Sequence, residues 1–244
     1  MPKPGLTLAP EIYAAALDDS PYFRLYERSP VTRLLLDTIP RYLREGASVL
    51  DLGCGNAIGA CHLVASGGRN LTYVGIDADP AVCQWARKVL DSLPPAELRG
   101  RIVTQTLEEY LAAPASRFDL ILSSWAFRSC VDVRCTQTHD AISRAIAGLL
   151  APDGVLLVGD GFIAGGATSE EIGRIHRHHM RLVGERGTGH PIFPPELIAT
   201  LFERAGLERV ERLDVPALPL GQFLRIPHDR FCLQVFRRRG DNAR

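Results

Sequence analysis

The sequence predicts an α/β domain built on a doubly wound, parallel sheet. Two observations carry that expectation. Short apolar runs alternate with helical stretches from about residue 48 to residue 158, the rhythm of successive strand–helix–strand units. The stretch Ser48-Val-Leu-Asp-Leu-Gly-Cys-Gly-Asn-Ala-Ile-Gly59 then reads as a buried strand ending on an acid, a glycine turn and a helix start.

Taken in order, residues 11–45 look helical, with apolar positions such as Leu34, Leu35, Ile39 and Leu43. Pro21, Pro30 and Pro40 cut this region into short helices. Val49–Leu52 is the first predicted strand, followed by a helix from about Ile58 to Ser66. Thr72–Ile76 is the second strand, ending at Asp77. Asp79 as cap and Pro80 at the first position open a helix to Leu93. Arg101–Thr106 is a third strand and Leu107–Leu111 a short helix. Phe118–Ser123, nearly all apolar, is a fourth strand buried on both faces. Thr138–Leu150 is a helix stopped by Pro152-Asp-Gly154, and Val155–Val158 is the fifth strand. Thr168–Arg186 and Pro194–Ala205 read as further helices, and Val210–Val215 and Arg230–Phe236 as two late strands. Arg237 to Arg244 reads as a frayed tail.

Composition sets the outer bounds. A chain of 244 residues suits one domain with a sizeable core. Lys+Arg and Asp+Glu balance at 28 each, so no global field draws in nucleic acid or an anionic membrane. No apolar run approaches the roughly 18–20 residues of a membrane span, and the first residues carry no signal-peptide pattern. The six cysteines are scattered without a Cys-x-x-Cys pair, which favours reduced thiols in a cytoplasmic protein and no metal site.

The glycine turn bears on the ligand. A dinucleotide site wants G-x-G-x-x-G or A, and here Ile58 stands at the third position. A P-loop pattern is absent. Asp51, at the strand end beside the ligand, repels a pyrophosphate but suits a ligand with a cationic amino-acid end. That contrast points away from NAD and towards S-adenosylmethionine. Asp77, closing Tyr73-Val-Gly-Ile-Asp77, is placed to accept hydrogen bonds from both ribose hydroxyls. The plainer readings are a structural glycine turn and, for Asp77, a helix-entry acid beside Asp79.

Four segments in order, Asp51-Leu-Gly-Cys-Gly55, Gly75-Ile-Asp77, Phe118-Asp-Leu-Ile-Leu-Ser123 and Leu149-Leu-Ala-Pro-Asp-Gly-Val-Leu-Leu-Val158, resemble the motifs of the class I S-adenosylmethionine-dependent methyltransferases. The resemblance covers roughly residues 45–160 and the two late strands. It implies a Rossmann-like, doubly wound sheet of about seven strands, mostly parallel, with a terminal antiparallel hairpin. On that plan residues 1–244 form one domain. A helical cap (1–45) precedes a cofactor-binding core (46–160). An inserted helical lid (161–195), a C-terminal helix with strands (196–237) and a tail (238–244) follow. The resemblance implies that Gly53, Cys54 and Gly55 shape the turn around the methionine part and that Asp51 helps bind its amino-acid end. Asp77 takes the ribose hydroxyls, with Ala78 lining the adenine. Ser123 and Ser124 lie at the mouth of the transfer site. Two departures stand out: Ala57 replaces a frequent third glycine, and Gln105-Thr106-Leu107 replaces a frequent acid after the third strand. The adenine contact then falls to Gln105, Thr106 or backbone near Leu107.

Methyl transfer from a sulfonium asks the protein to position, desolvate and, where needed, deprotonate the acceptor. Candidate groups for that work are Arg128 after strand four, Asp160 after strand five, and His179 or His176 on a lid helix, whose imidazoles titrate near neutrality. Tyr22, Tyr26, Trp125, Arg128 and His190 are candidate acceptor contacts. The plain alternatives are a salt bridge for Arg128, a turn cap for Asp160, core packing for the histidines and cap packing for the tyrosines. The expected activity is methyl transfer to an oxygen, nitrogen or carbon atom of a small metabolite. A homodimer is allowed, a membrane is not expected and nucleic acid is disfavoured. The alternatives are a carboxy-S-adenosylmethionine synthase, suggested by Tyr26-Glu-Arg-Ser-Pro30, and a non-catalytic S-adenosylmethionine-binding module.

Overall fold

The computed structural model describes residues 30–112, 116–127, 136–162, 194–216 and 230–240. In chain order it runs α1 (Pro30–Thr38), a 3-10 turn (Ile39–Arg41), β1 (Ser48–Leu52), α2 (Ile58–Ala65), β2 (Leu71–Asp77), α3 (Pro80–Ser92), β3 (Leu98–Thr104) and α4 (Leu107–Leu111). It continues with β4 (Phe118–Ser124), α5 (Thr136–Gly148), β5 (Leu150–Phe162), α6 (Pro195–Arg204), β6 (Leu207–Pro216) and β7 (Arg230–Arg238). The strands form one sheet in the order β3-β2-β1-β4-β5-β7-β6. Pairing is parallel from β3 through β5 and antiparallel where β7 meets β5 and β6. This is the Rossmann-like sheet with its terminal hairpin. The order reverses between β1 and β4, where a crevice opens at the strands' carboxyl ends.

Strand alternation sorts the core onto two faces. Val49, Tyr73, Leu120, Leu122, Leu157 and Leu233 pack on one side with Val31, Leu35 and Ile39 of the α1 segment and with α2 and α3. Leu50, Leu52, Val74, Ile76, Ile121 and Leu156 pack on the other with α4, α5 and α6. Asp51 lies two residues after Val49 and so shares the α1 face.

Local signals act as expected at several ends. The Asp79 side chain accepts from the N–H groups of Ala81 and Val82, with Pro80 next to it. Gly206, at φ +88°, closes α6.

Four boundaries differ from the sequence reading. The helix expected to reach Leu150 ends at Gly148, and β5 begins at Leu150. Pro152-Asp-Gly154 does not separate helix from strand; it is absorbed as an irregularity, because Phe118 pairs with Leu150 while Leu120 pairs with Val155. β5 also runs on to Phe162, so Asp160 lies within the strand, paired with Cys232, rather than after it. β3 starts at Leu98 and stops at Thr104, which leaves Gln105 and Thr106 beyond its end. Finally, Arg237 and Arg238 belong to β7 and not to a frayed tail: the Arg238 guanidinium donates to the carbonyls of Ala147 and Leu150. Of the expected lid (161–195), residues 161–162 belong to β5 and Pro195 opens α6, while 163–193, like residues 1–29 of the N-terminal cap, lie outside the described residues. No helix among the described residues is long and apolar enough to cross a membrane.

Candidate functional site

A cavity of about 1050 Å³ opens at the carboxyl ends of the central strands. The turn after β1 forms its floor. Gly53 and Gly55 have φ of +67° and +53°, a region that costs a residue with a Cβ. Gly53 is also pressed against the loop after β4, since a Cβ there would stand 2.3 Å from that of Ala126. The backbone N–H of Cys54 donates to Ile76 O at 2.8 Å, tying the turn to β2. Burial, then the carboxylates of Asp51 and Asp77, push the Cys54 thiol well above its ordinary value, so it is an inert filler. Ala57, where a third glycine is frequent in the resembled family, sits in the left-handed region at φ 60°, ψ 30° as the cap of α2.

Asp51 is 5% exposed and its Oδ2 accepts the Tyr73 hydroxyl at 2.7 Å. Its carboxyl is raised to about 6: burial raises it most, the Tyr73 hydrogen bond lowers it, and the nearby Asp77 charge raises it. Gly59 makes room for it, because a Cβ at that position would lie 2.3 Å from Asp51 Oδ2. Asp77 braces the turn from the end of β2: Oδ2 accepts from Gly55 N and Oδ1 from Asp79 N, each at 3.0 Å. Both oxygens keep lone pairs for a ligand.

After β3, Gln105 N donates to Asp77 O at 3.1 Å. Thr106 forms a capping box with Glu109: its hydroxyl accepts from Glu109 N and its own N–H donates to Glu109 Oε2. Thr106 is therefore engaged at both groups, and the Gln105 side chain is the adaptable one. At the end of β4, the hydroxyls of Ser123 and Ser124 are buried without a hydrogen-bond partner among the described residues. Trp125 follows at φ +62°, held by its N–H to Gly159 O at 2.8 Å and by its ring lying 5.0 Å from that of Phe231.

Asp51, Gly53, Cys54, Gly55, Asp77, Ala78, Gln105, Thr106, Leu107, Ser123, Ser124 and Trp125 all line this one cavity. Asp160 does not: it is 4% exposed inside β5, and its Oδ1 accepts from Gly161 N. Arg128, His176, His179, His190, Tyr22 and Tyr26 lie outside the described residues.

Three contributors escaped the sequence reading. Tyr73 and Gly59 shape the Asp51 site, and His62 of α2 lines the same cavity near Leu35 and Ile39. Burial lowers the His62 imidazole to about 4, so it is neutral at physiological pH. His62 follows Ile58 by four residues and shares a helix face with it, which is the signal that was available.

The sign of the cavity is its chemical signature. Asp51, Asp77, Asp79 and Glu108 line it, while its described lining holds no lysine or arginine. Such a site attracts a cation and accepts from hydroxyls, and it repels a phosphate.

Comparison with known proteins agrees with this geometry. The family described as "Methyltransferase domain" matches residues 23–212. A ribosomal protein L11 methyltransferase from Burkholderia ambifaria is 36% identical over 95 residues, 39% of this chain but 28% of that protein. The chain therefore spans under a third of that curated relative. Among solved structures, the cyclopropane synthase MmaA2 from Mycobacterium tuberculosis superposes with a TM-score of 0.66 at 16% identity, covering 96% of this chain and 98% of that one. A TehB-like SAM-dependent methyltransferase from Corynebacterium glutamicum gives 0.53 at 18% identity, covering 93% and 92%. At such identity these two likenesses concern the fold alone.

Proposed function

This chain belongs to the methyltransferase domain family, whose members bind S-adenosylmethionine, and we propose that it transfers the methyl group to an oxygen, nitrogen or carbon atom of a small metabolite. The observation that carries this reading is the acidic cavity, without lysine or arginine in its described lining, at the β1/β4 reversal. It fits this cofactor, which carries a sulfonium and an ammonium and no phosphate. When bound, the cofactor supplies an activated methyl group, so no nucleophilic side chain is required.

The chain's own residues divide the remaining work. Asp51, with one oxygen held by Tyr73, offers the other to the amino-acid end. Asp77 receives the ribose hydroxyls while bracing Gly55. Ala78 and Leu107 flank the base, and Gln105 meets its polar edge, since Thr106 is engaged in capping Glu109's helix. Ser123 and Ser124 present their hydroxyls where the acceptor meets the methyl group, and Trp125 supplies a flat apolar wall. Arg128, His176, His179, His190, Tyr22 and Tyr26 are assigned to the acceptor side, with His179 or His176 as the base where one is needed. Asp160 is left as a buried strand residue.

Two features favour a small acceptor. The cavity volume lies at the upper end of small-molecule sites, about 300–1,000 Å³, leaving room for cofactor and acceptor together. The balanced charge supplies no field for a nucleic acid. The Burkholderia relative is named for a protein substrate, so protein is the second acceptor class to test.

The deciding experiment incubates the protein with methyl-labelled S-adenosylmethionine and, separately, metabolite, protein and RNA fractions. Label in a metabolite, identified by mass spectrometry, is the expected result. Label in protein or RNA overturns the acceptor class. Calorimetric binding of the cofactor with no labelled product in any fraction overturns the transfer reading and leaves a binding module.

A further inference from the structure

Nothing in the motif pattern singles out Tyr73, yet its surroundings are built around it. It is fully buried in β2, and its hydroxyl reaches Asp51 Oδ2 at 2.7 Å. The register explains the reach. Tyr73 pairs with Val49 and Gly75 pairs with Asp51, so Tyr73 and Asp51 are diagonal neighbours on one face of adjacent strands. Gly75 leaves the position beside Asp51 without a side chain. On the other side, Tyr73 faces Gly100 of β3, where a Cβ would lie 2.8 Å from that of Tyr73. From α2, Gly59 admits Asp51 Oδ2. Of these glycines, Gly59 clears the space for the carboxylate itself, whereas Gly75 makes room for Cys54 and Ile102 and Gly100 for the Tyr73 backbone. Oδ1 makes no hydrogen bond among the described residues, and Asp51 lines the cavity.

We propose that Tyr73 is a positioning residue of the cofactor site: it commits one oxygen of Asp51 to the protein, aims the other at the ligand, and thereby sets the pH below which cofactor binding fails. This rests on the reading that Asp51 meets the cofactor's ammonium. The groups around the carboxyl are Tyr73 and Asp77 on β2, Cys54 on the turn and, behind Tyr73, Cys61 on α2. β4 presents Leu122 to the same cavity, and no lysine or arginine is among its described lining. A lone carboxyl in that setting is poised between burial, which favours its protonated form, and the Tyr73 bond, which favours its charged form. Its value of about 6 puts the change within reach of ordinary buffers. Protonated Asp51 offers no charge to an ammonium, so affinity falls as pH drops through that value.

The test is the dissociation constant of S-adenosylmethionine, by calorimetry, from pH 5 to 8. Wild-type affinity is expected to fall about tenfold per pH unit well below pH 6, the slope of one linked proton. Tyr73→Phe keeps the ring and removes the hydroxyl. Its midpoint is expected about one pH unit higher, the equivalent of one hydrogen bond to a charged group, with affinity about fivefold weaker at pH 6. Asp51→Asn is expected to bind more weakly and with no midpoint, and Tyr73→Phe added to it is expected to change nothing further. A carboxyl carbon NMR titration of Asp51 in the ligand-free protein reads the same midpoint without cofactor. If Tyr73→Phe follows the wild type at every pH, or Asp51→Asn keeps the midpoint, the proposal fails while the cofactor reading stands. If the wild type binds no S-adenosylmethionine, the cofactor reading itself fails.

Discussion

The cavity and the outer margin of the sheet hold charge in opposite ways. The cavity's described lining gathers four acids with no lysine or arginine. Along the margin, acids and bases are interleaved. Glu211 of β6 accepts from Arg41 at 2.8 Å and from the Tyr42 hydroxyl at 2.7 Å. Glu196 of α6 bridges Arg209 and Arg212, and Arg212 also pairs with Asp214. A net charge of zero sums these two regions and conceals both. At the margin, charges answer each other in water and fasten β6 to its neighbours. In the cavity they are one-signed and partly dry, which is costly unless a ligand answers them. Positive φ falls on Trp125 in the cavity lining, on Ala57 in the turn after β1 and on Asn70 before β2, an asparagine, which tolerates it; the turn before β6 uses Gly206. Strain of this kind persists where the surroundings enforce it.

Four measurements sharpen or break this contrast, from the largest effect down. Asp77→Ala removes both a cavity charge and the brace on Gly55, and calorimetry is expected to show at least about a hundredfold loss of S-adenosylmethionine affinity, roughly 3 kcal/mol. A loss under tenfold would mean that the acidic lining does not select the ligand.

Next, Asp51→Asn is expected to stabilise the ligand-free protein by up to about 3 kcal/mol at pH 8. The folded carboxyl is raised to about 6 from an ordinary 3.8. Its contribution is therefore full below pH 3.8 and is lost as pH rises through about 6. The gain from Asn should accordingly shrink to about 0.5 kcal/mol at pH 4. Denaturant melts at the two pH values decide it, and an equal gain at both would show that charge burial is not the cost. Tightest cofactor binding and greatest unliganded stability thus fall on opposite sides of the same carboxyl's titration.

Ala57→Gly relieves a left-handed residue, worth about 1–2 kcal/mol, against a greater loss of chain freedom on folding. A net gain of about 0.5–1 kcal/mol in melting experiments is expected; a loss would show that the methyl packs more than it strains. Last, Arg41→Ala at the margin is expected to cost no more than about 1 kcal/mol at pH 7, since exposed pairs are weak. Burial alone would raise the Glu211 carboxyl, but Arg41 and Tyr42 hold it below its ordinary 4.5. The Arg41 contribution should be present above that value and fade as pH falls below it. A cost of several kcal/mol would erase the contrast between margin and cavity.

What could be read in the chain was local. The Gly53-Cys-Gly55 turn, the Asp79-Pro80 helix start and the strand-end acids each depend on residues a few positions apart, and backbone sterics enforce them wherever they occur. Misreadings arose where a local signal was outvoted. Pro152-Asp-Gly154 has the composition of a helix stop and turn, yet Leu150 before it already pairs with Phe118 of β4, and from Val155 the ladder with β4 resumes and that with β7 runs to Phe162. The Arg237-Arg-Arg239 run resembles a loose tail, yet β6 and β5 pair with its first residues, and the Arg238 guanidinium finds the carbonyls that end α5.

The sequence by itself determined the sheet class, the glycine turn after β1 and the two strand-end carboxylates, because those follow from residue types within successive strand–turn–helix units. Tertiary structure alone decided which groups surround those carboxylates. Register between β1 and β2 set Tyr73 against Asp51, and the packing of α2 brought Gly59 and His62 to the cavity; the Thr106–Glu109 capping box, by contrast, is local and engages Thr106 while it still lines the cavity. The first two join residues far apart in the chain through pairing and burial, which no spacing along one segment encodes.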